Sequence, residues 1–113
     1  MKIEIRQDGK VRIVDLHGRL VLGPPEDALA EAVQRLLADE HNQILINMRG
    51  VPYIDSAGIG QLAACKKRVL ERHGELKLHW VRGRYHLAVE TIITLMFPDA
   101  LFEDEKEALA SFH

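Results

Sequence analysis

Ile44-Leu45-Ile46-Asn47-Met48-Arg49-Gly50-Val51-Pro52-Tyr53-Ile54-Asp55-Ser56-Ala57-Gly58-Ile59-Gly60 joins a short apolar run to a long amphipathic one. From Gln43 to Met48, the apolar residues Ile44, Ile46 and Met48 alternate with Gln43 and Asn47, the period of a strand with one buried face. From Leu62 to Leu70 apolar residues recur at helical spacing, so the reading is strand, turn, then helix over Ala57 to His73. Ser56 falls at the expected N-cap, where its hydroxyl would accept a hydrogen bond from the Ile59 amide. Gly58 and Gly60 read as geometric residues that permit close packing of helix on strand. The unpaired amides at such a helix start face whatever binds there, which marks a recognition or modification site.

The flanking sequence supplies alternating elements of both periods. Ile3 and Ile5 alternate with Lys2, Glu4 and Arg6, and Asp8-Gly9 turns the chain into Val11 to Leu16, a β-hairpin. Pro25 with Glu26 and Asp27 forms a helix first turn, followed by a buried stripe of Leu29, Ala32, Val33, Leu36 and Leu37. Gly74 is read as the residue just past the second helix, and Leu76 to Val81 as the next strand. Tyr85, Ala88, Val89, Ile92, Ile93 and Met96 make a third stripe stopped by Pro98. A short strand at Ala100 to Phe102 and a terminal helix carrying Ala108, Leu109 and Phe112 close the chain. Successive strands joined through helices imply parallel crossovers. Because the strands alternate rather than being apolar on both faces, the helices should pack mainly on one face of the sheet. The expectation is a small two-layer α/β sandwich, residues 1–113 forming a single domain, with a mixed, mostly parallel sheet opened by the hairpin.

Composition excludes several functions. The chain has 113 residues, 47% hydrophobic and 28% charged, with a formal net charge of -2. No basic field favours direct nucleic-acid binding. No run reaches the ~18 apolar residues of a spanning helix, and the charged alternation of the first six residues is unlike a signal peptide, so membrane insertion is not expected and a cytoplasmic location is. The single cysteine, Cys65, reads as a small residue in helix packing. Ser56 lies in no Gly-x-Ser-x-Gly elbow, the six histidines show no metal-ligand spacing, and Gly58-Ile59-Gly60 is too short for a dinucleotide fingerprint. Neither catalysis, metal nor cofactor is expected.

The run from Ile44 to Gly60 resembles the signature of the STAS domain, named for sulfate transporters and anti-sigma factor antagonists. The likeness extends in order and spacing over nearly the whole chain, most closely to stand-alone bacterial antagonists. It implies that Ser56 is phosphorylated by an anti-sigma factor with kinase activity, that the unmodified protein binds this partner and frees a sigma factor, and that phosphorylation ends the binding. By the same resemblance Asp55, Ser56, Ala57, Gly58 and Ile59, with Arg19, Val21 and Leu22 of the turn beside them, form the partner surface. Asp55 reads either as an aid in orienting a kinase-borne phosphate or metal, or as an ordinary loop carboxylate. The turn departs from the family's Gly-Glu-Leu-Asp pattern, since this chain has Gly18-Arg19-Leu20-Val21. Arg82-Gly83-Arg84-Tyr85-His86 also lacks the family's Ser-Pro entry to the third helix, and reads as a solvated turn or an anion contact. A second role within the resemblance is an accessory subunit of a membrane lipid-transport or sensory assembly that docks constitutively; a homodimer is left open.

Overall fold

The structure, a computed structural model, describes all 113 residues. Five strands form one sheet in the order in which the chain makes them: β1 (Lys2–Asp8), β2 (Val11–His17), β3 (Gln43–Gly50), β4 (Glu75–His79) and β5 (Leu101–Phe102). The first pair is antiparallel and the others are parallel. Four helices, α1 (Pro24–Ala38), α2 (Ser56–Glu71), α3 (Leu87–Met96) and α4 (Glu105–Ala110), fill the connections. The hairpin turn is Gly9-Lys10, one residue later than Asp8-Gly9, and Gly9 supplies its positive φ of 59°.

Period-two alternation places Val14, Leu16, Ile44, Ile46, Met48, Leu76 and Leu78 on one sheet face, in a single buried cluster with Leu29 and Val33 of α1, Leu62, Cys65 and Val69 of α2, and Ile93 of α3. Burial pushes the Cys65 thiol up to about 12, as befits a packing residue. The opposite face carries a smaller cluster of Val11, Ile13 and Leu45, closed by Ala108 of α4 with Leu109 and Phe112. This is the two-layer sandwich expected, with α4 as a small cover on its second face. Lys77 fastens that cover, donating to the Ser111 carbonyl and hydroxyl at 2.8 Å each.

Two local expectations need correction. The positive-φ residue that ends α2 is His73, at φ 57° and following the C-cap Arg72, while Gly74 is required for space: a Cβ there would overlap the Asn42 carbonyl oxygen and stand 2.8 Å from the Asn42 Cβ. In α3, Ala88 and Ile92 face solvent and only Ile93 is fully buried, because the helix lies at the rim of the sheet and touches the core along one narrow line. Tyr85 holds its entry in place through a 2.5 Å bond to the Val51 carbonyl, and Glu90 accepts from both Trp80 Nε1 and the Tyr85 amide.

Candidate functional site

The carboxyl ends of β2 and β3 deliver two turns side by side. Leu20 and Ile54 form an isolated parallel bridge, the Leu20 amide donates to the Tyr53 carbonyl at 3.0 Å, and the Asp55 amide donates to the Leu20 carbonyl at 3.3 Å. Both Leu20 and Ile54 are buried, so this bridge anchors the turn against the start of α2. The adjacency implied by the family resemblance therefore holds in three dimensions. Gly58 makes the close approach possible, since a Cβ at this position would overlap the Leu20 carbonyl oxygen and stand 2.8 Å from Ile54 Cγ1. Gly60 has nothing within 4 Å of an added Cβ, so packing does not require it.

The N-cap is Asp55 rather than Ser56. One Asp55 carboxylate oxygen accepts from the Gly58 amide at 2.8 Å and the other from the Leu22 amide at 3.0 Å. The Ile59 amide, which was to meet the serine hydroxyl, donates to the Asp55 carbonyl at 3.0 Å as the first turn of the helix. Asp55 thus joins turn to helix with a single side chain, and the amide bonds from Leu22 and then Gly58 hold its carboxyl below the ordinary carboxylate range. To the two roles read for it in the sequence, a phosphate-orienting group or a loop carboxylate, the structure adds that of a cap.

Displaced from capping, Ser56 is the first residue of α2 and is exposed. Around it the surface is apolar and cationic: Leu22 is 73% exposed, Tyr53 49%, and the Arg19 guanidinium lies 4.9 Å from the Tyr53 ring centre. Ala57 and Ile59 are half-buried, Val21 likewise, and Gly58 is buried beneath them. Of the eight residues singled out in the sequence, all stand in this one neighbourhood. Tyr53 was missed, because its place in this surface depends on Arg19 of the neighbouring turn lying over its ring.

The anion contact read for Arg82 to His86 is occupied from within. Arg82 pairs with Glu103 at 3.0 Å, Arg84 donates to the Arg49 carbonyl, and His86 Nδ1 caps α3 by accepting from the Ala88 amide at 3.2 Å.

The STAS domain family model matches residues 2–108. The chain belongs to the STAS domain family. No curated protein sequence matches this STAS domain significantly. Among solved structures it is similar to a candidate anti-sigma factor antagonist from Thermotoga maritima, with a TM-score of 0.82 and 18% identity, covering 97% of this chain and 93% of that one. The phosphorylated form of the Bacillus cell fate determinant SpoIIAA matches with a TM-score of 0.73 and 12% identity, over 96% of this chain and 97% of that one. A sulfate transporter family protein from Wolinella succinogenes matches with a TM-score of 0.70 and 23% identity, over 91% and 84%. The domain spans only 20% of a longer matching chain, Mglu. No helix of the STAS domain is long and apolar enough to cross a membrane.

Proposed function

We propose that this STAS domain is an anti-sigma factor antagonist whose α2 mouth binds an anti-sigma factor with kinase activity, and whose Ser56 is the phosphorylated switch. The observation that carries the reading is the division of labour at that mouth. Asp55 performs the capping, so the exposed Ser56 hydroxyl can be modified without loss of the helix cap. SpoIIAA, a protein of the same fold, exists in a phosphorylated form, which supports the reading.

A phosphoserine brings roughly 1.5 to 2 negative charges to a helix N-terminus, where free amides and the dipole tolerate them. The fold should therefore survive modification. A partner packed over Leu22, Tyr53, Ser56 and Ile59 would instead have to desolvate that charge next to the ionised Asp55, and the binding would fail. The role places the protein in a bacterial cytoplasm, acting through protein contacts without a cofactor.

Incubation with the cognate kinase and ATP should add one phosphate, assigned to Ser56 by fragmentation of the intact protein and abolished in Ser56→Ala. Calorimetry should find Ser56→Asp binding the partner at least tenfold more weakly than Ser56→Ala, about 1.4 kcal/mol. Phosphate at another residue, or equal binding by the two variants, would defeat the proposal.

The apolar, cationic turn of Arg19, Val21 and Leu22 favours a second reading, constitutive docking to a membrane lipid-transport or sensory assembly without modification of Ser56. Affinity capture from native lysate separates the two: an anti-sigma kinase lost with Ser56→Asp supports the first, and a transporter ATPase the second.

A further inference from the structure

The outer edge of β1 is free, and its sequence is complementary to itself. β1 lies at one end of the sheet, pairs only with β2, and is exposed along almost all its length. Asp8 and Val11 flank the two-residue turn, so Lys2, Glu4, Arg6 and Asp8 direct their backbone groups to β2. Ile3, Ile5 and Gln7 then direct theirs outward. An edge of this length with open amides and carbonyls is a template for another strand.

From residue 2 to residue 8 the chain reads Lys-Ile-Glu-Ile-Arg-Gln-Asp. Reversed about Ile5, every charge meets its opposite. In an antiparallel pair of two copies with a twofold axis at Ile5, Lys2 faces Asp8 of the partner subunit and Glu4 faces Arg6 of the partner subunit, each twice by symmetry. Ile5 meets its own copy, and Ile3 meets Gln7 of the partner subunit. The outward backbone groups of Ile3, Ile5 and Gln7 fall opposite outward groups, so the ladder closes. A slip of the axis to Glu4 sets Lys2 against Arg6 and Glu4 against itself; a slip to Arg6 sets Glu4 against Asp8 and Arg6 against itself. Directly opposed like charges destabilise a strand pair, so the charge pattern selects one register.

The helical side of the same edge is also incomplete. Ile5 is 46% exposed and, with Ile3, borders a shallow groove of about 340 Å³ whose far wall is Ala28, Ala32 and Leu36 of α1. The axis at Ile5 brings a second isoleucine over that groove. We infer that the occupant of the β1 edge is a second copy of this chain, joined through β1 in an isologous dimer with one continuous ten-stranded sheet. The dimer leaves the α2 mouth at a separate place on each copy, so it does not depend on the function proposed above.

Sedimentation equilibrium of the full chain from about 10 µM to about 1 mM reads the association directly. Wild type should be a monomer–dimer equilibrium in this range. Asp8→Lys opposes two lysines and should weaken dimerisation at least tenfold. Lys2→Asp, at a side chain 75% exposed, should do the same by opposing two aspartates. The exchange Lys2→Asp with Asp8→Lys restores complementarity and should return the constant to within about threefold of wild type. Circular dichroism and melting establish that each variant folds. A wild-type monomer across the whole range, a dimer indifferent to the single exchanges, or a double variant as weak as the singles would overturn the inference.

Discussion

Asp55 and Ser56 are adjacent, both are good helix caps, and only one can hold the position. Asp55 takes it because its two oxygens serve two amides, Gly58 in the helix and Leu22 in the neighbouring turn, whereas a serine has a single oxygen to offer. Asp55→Ala should therefore lower the melting temperature by about 4 °C or more, Asp55→Asn by less, and Ser56→Ala by little; differential scanning calorimetry of the three variants checks the order. A Ser56→Ala loss as large as that of Asp55→Ala would return the cap to the serine. The sequence made the helix start legible but could not choose between the neighbours, since the deciding amide belongs to Leu22, 33 residues away. Legible from the residues alone were the strand, the turn and the accessibility of the helix mouth. Tyr53 escaped because its meaning comes from Arg19 folding back over its ring.

At the level of elements, the two glycines of α2 look equivalent in sequence and differ in the fold. Gly58 faces the Leu20–Ile54 bridge with no room for a methyl group, whereas Gly60 faces open space. Gly58→Ala must push the β2 turn away and should cost about 2 kcal/mol, within the usual range for overpacking. Gly60→Ala should stabilise by about 0.5–1 kcal/mol, because alanine loses less backbone entropy in a helix. Urea unfolding of both variants measures the contrast, and a shift of the same sign in both would contradict it. Periodicity identified α1 well, since Leu29, Val33, Leu36 and Leu37 are all buried as the stripe requires. It over-assigned α3, whose sequence is apolar nearly all round while the sheet rim can cover only one line of it. No local pattern distinguishes an apolar residue that finds a neighbour from one that does not, as the exposed Ala88 and Ile92 beside the buried Ile93 demonstrate.

For the molecule as a whole, the sheet's second face is held by an ionic tie between distant parts of the chain. Arg6 of β1 donates to both Asp15 oxygens of β2, at 2.6 and 2.9 Å, and to Glu105 of α4 at 2.5 Å, while Asn47 of β3 donates to Asp15 at 2.8 Å. Arg6 holds the Asp15 and Glu105 carboxyls below their ordinary range, with the Asn47 bond acting in the same direction on Asp15. Depressed folded-state values mean that the unfolded chain binds these protons first. The stabilisation is thus complete above the ordinary carboxylate range near pH 4 and is lost as pH falls through the lower folded values. Urea midpoints between pH 6 and pH 2.5 should decline steeply in wild type and less steeply in Asp15→Asn, which has no carboxyl to protonate there; parallel curves would dissociate the tie from acid stability. The polar alternation of β3 and β4 revealed this face in the sequence, but the pairing of residue 6 with residue 105 depends on where the last helix returns. The order of the sheet has a further consequence. Each strand lies beside the one made before it, from β1 through β5. A chain emerging from the ribosome can lay down every strand against a neighbour already present, without threading a late segment between earlier ones or reserving an empty slot for it. The growing sheet always has one fresh edge, so assembly can follow the direction of synthesis, with β5 the last strand added and α4 then laid over the second face.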